Sequence, residues 1–573
     1  MKKIILSYIT LDENYNDTWE FTGLFYLAGA LEKANYTPYV FHGDYREITK
    51  EIKRISPDVL GFSCDFENQS FLKIFIQKVK KEFALPVVVG GPQAMGLSRA
   101  FLKESGADYL LRGECEETLP KLLDWIFDKE GEWKNIPGLL FREGECFHEN
   151  SGFGIIEEIN SLPNPAYHAS LHQRDYGRII FTGRGCPYSC TFCASNVGKG
   201  KVRLQSIVKV LETIKKRLEA CPTLHYMIIM DDTFCINRKR MLEFCEGMLE
   251  IRRKYDVVWY CECHVEVMEK WPEMLPKMIE AGLVRLQIGI ESGDERTLAM
   301  YGKQITPKRV LKYVEWAVSC GIPQIATNFI VGGPIEEEGK TEKFIKSLLA
   351  KAPGIIDINT GFLRAYPGTA ISQNPDFFDV IIKDVDGHTI LDDCPGVVPM
   401  GMTEYEVIQQ RQKLNQIIRE EMYQLIVEKA LPLSTVMQQF KLGYKYNVHS
   451  RWFLELNRHE RVREYYKTVY YGEGEPFYDN MPLNGTFPQR TFEFYRNVIT
   501  QNDRTTLDQQ VLAPLEYDIL FYASGKISIN AMAHRLWPKY KRAYKSLDKL
   551  IEQIKKFLHQ ADKRYWTTTF VFE

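Results

Sequence analysis

The sequence has no long apolar run, almost no net charge and no regular cysteine spacing. No stretch approaches the roughly 20 apolar residues that span a bilayer. The 73 basic and 75 acidic residues leave a net charge of −2, which argues against a dominant polyanionic partner. These absences exclude an integral membrane protein and disfavour a nucleic-acid-binding one.

The N-terminus and the cysteines both predict a cytoplasmic protein. MKKIILSYITLDEN starts with two lysines and a short apolar run, but Asp12 and Glu13 end that run without a small-residue cleavage site. The chain has 13 cysteines, an odd number, and ten of them are scattered singly or in apolar runs. That pattern is typical of reduced, mostly buried thiols rather than of a secreted disulfide framework.

Residues 1–130 alternate short apolar runs with stretches of helical period. The runs are KKIILSYI, TPYVF, DVLGFS, PVVVGG and DYLLRG. This alternation predicts an α/β domain, doubly wound and Rossmann-like (flavodoxin-type), with a parallel sheet between helices. Ligands bind beyond the carboxyl ends of such strands. Those ends carry Ser63, Gly90, Gly91, Pro92, Gly113 and Glu114.

Three further segments follow this first domain. Residues 131–170 are expected to form a linker with a small hairpin, GLLFREGECFHE. Residues 171–400 contain six more strand–helix repeats, too few for a closed eight-stranded barrel, and therefore predict an open, partial (βα)6 barrel. Residues 401–573 lose the alternation and are expected to form a mainly helical C-terminal region.

Cys186, Cys190 and Cys193 lie together in the loop GRGCPYSCTFCAS. Zinc would need a fourth ligand from a distant segment, and a redox pair would use Cys190 and Cys193 and leave Cys186 idle. Three thiolates can also hold three irons of a four-iron cluster and leave the fourth iron open to a small molecule. Gly183 and Gly185 let the backbone curl around such a group.

The spacing Cys-x3-Cys-x2-Cys, with Phe192 before the last cysteine, resembles the signature of the radical S-adenosylmethionine (SAM) enzymes. In that family a [4Fe–4S] cluster binds SAM at its open iron and cleaves it reductively to a 5′-deoxyadenosyl radical. Further segments resemble the family at successive strand ends, namely Met230–Phe234, Gly289–Gly293, Ile330–Pro334 and Tyr366–Thr369.

The resemblance implies a set of SAM-binding residues. They are Phe192, Asp231, Asp232, Thr233, Glu262, Glu291, Ser292, Ile330 and Gly332. Cys261, Glu262, Cys263 and His264 form either a second metal site or part of the packing of the barrel wall. Cys261 and Cys263 share one face of the strand, and if the other face is the inner one, Glu262 or His264 could bond a ribose or carboxylate oxygen of SAM. Ile335 stands where the family usually has glycine, so Glu336 need not lie where the family's acid does.

The first domain resembles the cobalamin-binding domain that precedes the barrel in one large subclass of these enzymes. The resemblance implies contacts from Asn14, Ser63, Gly90, Gly91, Pro92, Gly113 and Glu114. Asn14 stands where corrin proteins of another type place the histidine that ligates cobalt, so we expect no protein imidazole on the metal. A domain that keeps the fold but binds nothing is the alternative.

The C-terminal region is the least informative. Its tyrosines and arginines either line a substrate channel or pack an irregular segment; they are Tyr465, Tyr466, Tyr470, Tyr471, Tyr478, Arg461 and Arg463. The segment from Arg535 to Arg564 contains ten basic and three acidic residues. This basic segment is either a solvated helix face or a binding surface for an acidic leader peptide, an anionic small molecule or RNA.

The leading functional hypothesis is a cobalamin-dependent methyltransferase that acts on an unactivated carbon of a peptide or secondary metabolite. A radical SAM enzyme of another reaction type, such as epimerisation, rearrangement or ring formation, is the second hypothesis. An RNA- or peptide-binding protein with a structural cluster is the third. An electron donor such as flavodoxin or ferredoxin is an expected partner, whereas the substrate and the catalytic residues beyond the cofactor ligands are not predicted.

Overall fold

The computed structural model describes most of the chain. The described residues are 1–10, 20–65, 68–128, 132–171, 178–197, 201–222, 224–334, 336–383, 394–428, 430–458, 483, 486–490, 498–501, 504–507, 510–523, 527–564 and 566–571. Asn14, Ile335 and the group of tyrosines and arginines between 461 and 478 lie outside them. The chain packs as two compact units, of which the first comprises 1–313, 328–344 and 359–415 and the second 314–327, 345–358 and 416–573.

The first unit begins with a seven-stranded sheet. Its strands are β1 (Lys3–Ile9), β2 (Thr37–Gly43), β3 (Val59–Ser63), β4 (Val87–Gly90), β5 (Tyr109–Leu111), β6 (Leu139–Glu143) and β7 (Cys146–Glu149). The order is β2-β1-β3-β4-β5-β6-β7, and the first five strands are parallel. The order 2-1-3-4-5 is that of a flavodoxin-like doubly wound fold and confirms the predicted class.

Helices cover both faces of this sheet. They are α1 (Thr22–Lys33), α2 (Tyr45–Ile55), α3 (Gln69–Phe83), α4 (Arg99–Ser105) and α5 (Thr118–Asp128). Strand β1 shows why two cores form, because successive side chains of a strand point to opposite faces. Ile4 and Leu6 pack with α1 and α5, whereas Ile5 and Ile9 pack with α2, α3 and α4.

The hairpin predicted within the linker belongs to this sheet. Strand β6 pairs antiparallel with β5, through Tyr109 opposite Phe141, and β7 pairs antiparallel with β6. The extended sheet therefore includes residues that the sequence pattern assigned to a connector. Beyond the hairpin, Gly154 forms a bridge with Gly113 at the carboxyl end of β5.

A second, six-stranded sheet follows. Its strands are β8 (Ile179–Ile180), β11 (Tyr226–Ile229), β12 (Val258–Cys263), β13 (Leu283–Glu291), β14 (Gln324–Val331) and β15 (Ile356–Phe362), in the order β15-β14-β13-β12-β11-β8. Between β8 and β11 lies a two-stranded ribbon of β9 (Gly183–Arg184) and β10 (Arg203–Leu204). Six strands in sequential order, with no pairing between the first and the last, form the open, partial barrel that the sequence predicts.

Helices connect these strands. They are α6 (Ile207–Ala220), α7 (Arg238–Arg252), α8 (Val265–Lys270), α9 (Met274–Glu280), α10 (Glu295–Met300), α11 (Pro307–Ser319) and α12 (Lys340–Lys351). Side chains cap several of their amino termini, as when Ser206 accepts a hydrogen bond from the Lys209 amide of α6 and Asn237 one from the Arg240 amide of α7. The caps set where each helix leaves the loop at the strand end.

The remaining elements are mainly helical. The helices are α13 (Ala370–Gln373), α14 (Glu404–Val427), α15 (Leu433–Tyr446), α16 (Arg451–Arg458), α17 (Pro514–Tyr522), α18 (Ile529–Tyr544) and α19 (Leu547–Lys563). The short strands are β16 (Val380–Ile382), β17 (Val397–Pro399), β18 (Thr486–Arg490), β19 (Ile499–Gln501), β20 (Arg504–Leu507), β21 (Gln510–Val511) and β22 (Thr567–Val571). None of the helices in the described part of the chain combines the length and apolar composition that a membrane crossing requires.

The second unit has its own cores. One is built on α15 and α16, where the Trp452 indole nitrogen donates to the Ile356 carbonyl at 2.7 Å and Gln439 accepts from the Gln324 amide at 2.8 Å. The other lies among α17, α18 and α19, with Ile519, Leu550 and Ile554 fully buried.

Candidate functional site: a cysteine loop and a sheet edge that share one cavity

The three-cysteine loop is held closed at its base. Strands β9 and β10 pair antiparallel on either side of it, with Arg184 opposite Arg203. Gly185 has a φ of +83°, a left-handed conformation that side chains disfavour. The backbone amide of Thr191 donates to the Tyr301 carbonyl at 3.1 Å, and its hydroxyl donates to the Met300 carbonyl at 2.9 Å. The loop is thus fixed both to its own ribbon and to the end of α10.

All three cysteines of the loop are free and partly exposed. Burial raises the pKa of Cys186 to about 11, and the neighbouring Cys193 and Cys190 sulfurs add to the rise. Burial also raises the pKa of Cys190, whereas the ammonium group of Lys303 opposes that rise. Three soft sulfur donors in one short loop, beside a buried cation that favours thiolates, fit an iron–sulfur cluster. Within the described residues, no three His, Cys, Asp or Glu side chains are grouped tightly enough to hold a single metal ion.

Asp231 supports the loop from below. Its carboxylate accepts hydrogen bonds from the Thr182 amide (2.6 Å), the Gly183 amide (3.0 Å) and the Thr182 hydroxyl. Burial raises the pKa of Asp231 to about 6, against these hydrogen bonds and the attraction of Arg240. The Asp231 carboxylate therefore supports the chain that enters the cysteine loop, and its predicted contact with SAM stays a prediction.

Asp232 and Thr233 have different surroundings from Asp231. Asp232 lines the large cavity described below and accepts a hydrogen bond from the Ser195 hydroxyl at 2.5 Å. Thr233 is buried, and its hydroxyl has no hydrogen-bond partner within the described residues. Among the three predicted neighbours, Asp232 is the one that presents its carboxylate to a space where a ligand fits.

Glu262 faces the carboxylates at the other strand ends, while Cys261 and Cys263 pack behind the sheet beside the fully buried Cys235. The Tyr260 hydroxyl and the Gln287 amide donate to Glu262 at 2.9 and 3.1 Å. Burial raises the pKa of Glu262 to about 7, the Tyr260 hydrogen bond lowers it, and the charges of Asp232 and Glu291 add to the rise.

His264 does not join Glu262. Its ring stacks on Tyr188 of the cysteine loop, with centroids 4.0 Å apart and 20° between the ring planes. Its Nδ1 accepts from the Glu266 amide at the start of α8. Burial, together with the charges of Lys303 and Arg309, lowers the pKa of His264 to about 4. The ring therefore packs as a neutral group against the cysteine loop.

The end of β13 contributes Glu291 and Ser292. Glu291 has a φ of +68°, a strained conformation for a residue other than glycine, and pairs with Lys303 at 2.9 Å. Ser292 donates to Glu336, which also accepts from the Thr341 hydroxyl at 2.7 Å. Both predicted SAM residues are thus already engaged by neighbouring side chains.

The end of β14 is tightly packed. Gly332 has a φ of +83°, and a Cβ there would lie 2.9 Å from Val407. Ile330 packs against a buried group that includes Tyr301, and Phe192 of the cysteine loop meets the same Tyr301 ring edge to face at 5.1 Å. Phe192, Ile330 and Tyr301 therefore form one apolar wall beside the cysteines.

A cavity of about 840 Å³ joins the cysteine loop to the carboxyl edge of the first sheet. Within the described residues it is lined by all six predicted sheet-edge positions, namely Ser63, Gly90, Gly91, Pro92, Gly113 and Glu114. From the cysteine side it is lined by Phe192, Cys193, Ser195 and Asp232. The two predicted sites are consequently one chamber, of a size usual for ligand pockets.

Two glycines of the sheet edge are required by the fold itself. A Cβ on Gly91, where φ is +99°, would lie 2.6 Å from the Ser63 hydroxyl, and a Cβ on Gly113 would lie 2.4 Å from the Gly154 carbonyl. Gly90 is different, because a Cβ there would meet nothing closer than 3.7 Å. Gly90 therefore leaves open space for a flat ligand, whereas at Gly91 and Gly113 the close packing of neighbouring atoms requires glycine.

Two family models match the segments that meet at this cavity. Residues 11–123 match the B12 binding domain, and residues 180–348 match the radical SAM superfamily. The chain thus carries a B12 binding domain followed by a radical SAM domain. Its cofactors are accordingly a [4Fe–4S] cluster, SAM and cobalamin, as the sequence predicts.

Relatives of this radical SAM enzyme cover the same region. An uncharacterized methyltransferase of Pyrococcus horikoshii is 28% identical over 344 residues, which are 57% of this chain and 71% of the relative. The anaerobic magnesium-protoporphyrin IX monomethyl ester cyclase of Cereibacter sphaeroides is 26% identical over 310 residues, and the match spans half of each chain.

One solved structure extends the likeness over almost the whole radical SAM enzyme. The cobalamin-dependent SAM radical enzyme OxsB with aqua-cobalamin bound matches 99% of this chain and 84% of its own, with a TM-score of 0.59 and 14% identity. At that identity the match establishes the shared fold.

Sequence patterns missed the charged residues that connect the two halves of this radical SAM enzyme. Glu114, predicted to bind cobalamin, pairs with Arg203 of β10 and Arg184 of β9, and Glu116 pairs with Arg184 as well. These charges lower the pKa of Glu114 against the effect of its burial. No local pattern marks such partners, because they lie 68 to 89 positions apart in the chain.

Proposed function

We propose that this enzyme transfers a methyl group from SAM to an unactivated carbon of a peptide or small-molecule metabolite. The shared cavity supports this proposal, because the sheet edge of the cobalamin domain and the cysteine loop line the same space. Cobalamin supplies methyl-group carriage and the cluster supplies the electron that cleaves SAM. The Pyrococcus horikoshii relative, which is named a methyltransferase, supports the same chemistry.

The chain's own residues give this space its chemical character. Cys186, Cys190 and Cys193 would hold the cluster, while Phe192 closes the apolar side of the loop against Tyr301. Asp232 offers a carboxylate to the cavity and keeps Ser195 oriented toward it through their hydrogen bond. Leu6, Leu24 and Leu27 add apolar lining on the first-domain side.

A radical SAM reaction without methyl transfer is the second candidate. The Cereibacter sphaeroides relative is named a cyclase, and this name supports ring formation as the alternative reaction. An external low-potential electron donor, such as flavodoxin or ferredoxin, belongs to both proposals because both need one electron for each reductive SAM cleavage.

The experiment separates these candidates by their products. The protein is purified without oxygen from cells supplied with cobalamin, and iron, sulfide and corrin are measured per chain. It is then incubated with SAM and dithionite-reduced methyl viologen, with cobalamin-free protein in parallel. S-adenosylhomocysteine that appears only with cobalamin would support methyl transfer. 5′-Deoxyadenosine without S-adenosylhomocysteine would reject methyl transfer and favour the second candidate.

A further inference from the structure

A buried lysine lies beside the cysteine loop but outside the cysteine signature. Lys303 is 9% exposed, and its ammonium group pairs with Glu291 at 2.9 Å and donates to the Gly289 carbonyl at 3.2 Å. Burial alone would lower the pKa of Lys303, but the charges of Glu291 and Cys190 outweigh it and raise the pKa. Lys303 is therefore a positive charge that is held inside the protein at neutral pH.

Backbone contacts fix this lysine next to the cysteines. The loop binds the end of α10 through Thr191, and Gly302, with a φ of +71°, packs directly beneath the loop. A Cβ on Gly302 would lie 3.0 Å from the Ser189 carbonyl and 3.8 Å from the Cys190 Cα. Lys303 is the next residue, so its side chain starts from a segment already in contact with Cys190.

The Lys303–Glu291 pair is buried beside the cysteine loop. Its two side chains are 2.9 Å apart, and the segment that carries Lys303 packs against Ser189 and Cys190 through Gly302. The Lys303 ammonium group therefore exerts its field on the loop from a buried position. Water screens this field weakly, because both side chains are less than 10% exposed.

We infer that Lys303 sets the reduction potential of the iron–sulfur cluster by holding a buried positive charge on the Cys190 side of the loop. Reduction adds one electron from an external one-electron donor to a group that already carries the charge of three thiolates. A fixed cation stabilises the more negative, reduced state, and net charge is one of the determinants of cluster potential. Lys303 thus acts on the cluster through its fixed charge and without contact with the substrate.

The test measures the midpoint potential of the reconstituted cluster in the absence of SAM. The reduced cluster is quantified by electron paramagnetic resonance during a redox titration of the full chain. Lys303→Met should shift the reduced-to-oxidised ratio at a given potential at least tenfold toward the oxidised cluster, which is a fall of about 59 mV for one electron. Lys303→Arg should restore most of the shift, because it keeps the charge.

Lys308 supplies the matched control. It lies five residues away and is exposed, so water screens its charge, and Lys308→Met should leave the midpoint unchanged. An unchanged midpoint in Lys303→Met at full iron content would overturn the inference, as would an equal shift in Lys308→Met. If Lys303→Met loses iron, Glu291→Gln becomes the deciding variant, with a rise in midpoint expected and no change counting against the inference.

This inference and the proposed methyl transfer can fail separately. The midpoint is read without SAM, cobalamin or substrate, so its outcome does not depend on which reaction follows. Conversely, the product assay described above tests methyl transfer in the unaltered protein, whatever the cluster potential.

Discussion

Arg203 and Glu114 share two hydrogen bonds, of 2.7 and 2.8 Å, that join the ribbon below the cysteine loop to the edge of the first sheet. Arg203 is also bonded to the Ile156 carbonyl at 2.6 Å and is 8% exposed. This pair therefore connects the base of the cysteine loop to Glu114, a residue that lines the cavity.

Arg203→Ala should destabilise the protein by about 3 kcal/mol, because it leaves the partly buried Glu114 carboxylate short of a partner. The loss of stability should be no larger than this, because Arg184 still lies 3.2 Å from Glu114 and partly replaces Arg203. Calorimetric unfolding of the cofactor-free chain measures it. Arg142→Ala, which breaks an exposed pair with Glu145, should cost less than about 1 kcal/mol. Equal effects of the two variants would contradict the structural role given to Arg203.

Cys190→Ala should abolish both the cluster and SAM cleavage. Two cysteines of the loop cannot hold the three irons that the site needs, so the iron content should fall to near zero after reconstitution. Cys235→Ala is the matched control, because Cys235 is fully buried behind the sheet and should leave the iron content intact. Retained SAM cleavage in Cys190→Ala would refute the assignment of the loop.

Gly23→Phe should block cobalamin without unfolding the chain. Gly23 lines the cavity from the first turn of α1, and a Cβ there meets nothing within 4 Å among the described residues. We expect corrin content to fall at least tenfold while iron content stays the same. Lys33→Phe, at the exposed far end of the same helix, should leave both cofactors in place. Unchanged corrin in Gly23→Phe would show that cobalamin lies elsewhere.

Glu262 should make the cofactor-free protein less stable as pH rises. Its pKa of about 7 lies above the ordinary 4.5, so between these values the folded state binds the extra proton. Stability is therefore fully present below pH 4.5 and falls as pH rises through 7. Glu262→Gln should weaken this slope, while Asp231, whose pKa is also raised, maintains the rest; melting temperatures at pH 5 to 8 measure the difference. The exposed Glu338→Gln should keep the wild-type slope; a wild-type slope in Glu262→Gln would refute the assignment.

Substitutions at Gly333 and Tyr301 should have non-additive effects on stability. A Cβ on Gly333 would lie 1.8 Å from the Tyr301 hydroxyl oxygen and 2.9 Å from its ring carbon, so Gly333→Ala should cost about 2 kcal/mol. Tyr301→Phe should by itself be nearly neutral, because that hydroxyl has no hydrogen-bond partner among the described residues. The double variant should recover part of the loss in calorimetry. Strict additivity would contradict the contact.

Local patterns were sufficient for the strands of the two main sheets, the helices between them and the cysteine loop. Alternation along Ile4, Ile5 and Leu6 is a property of consecutive residues, and the same holds for the spacing of the three cysteines. The class of both sheets and the six predicted positions that meet at the cavity could therefore be deduced before the structure.

Roles that depend on distant partners could not be deduced in this way. Asp231 was assigned to SAM with Asp232 because Met230–Phe234 resembles a segment of the family. The structure adds that Asp231 accepts hydrogen bonds from the Thr182 and Gly183 amides, which no local pattern marks, and its role toward SAM stays a prediction. Glu114 and Lys303 are similar cases, because each pairs with an opposite charge that is distant in sequence: Arg203 for Glu114 and Glu291 for Lys303. The predicted role of Asn14 and of the C-terminal tyrosines remains a prediction, as these residues lie outside the described part.

The β6–β7 hairpin also protects the border of the first sheet. Without it, β5 would offer its unpaired amide and carbonyl groups to any other extended chain, which is the usual route to aggregation by strand addition. The new outer strand, β7, has only four residues, and its Glu149 is engaged by Arg99 and Arg112. A short, charged border is a poor template for further strands, so this side of the sheet should resist self-association when the enzyme is concentrated.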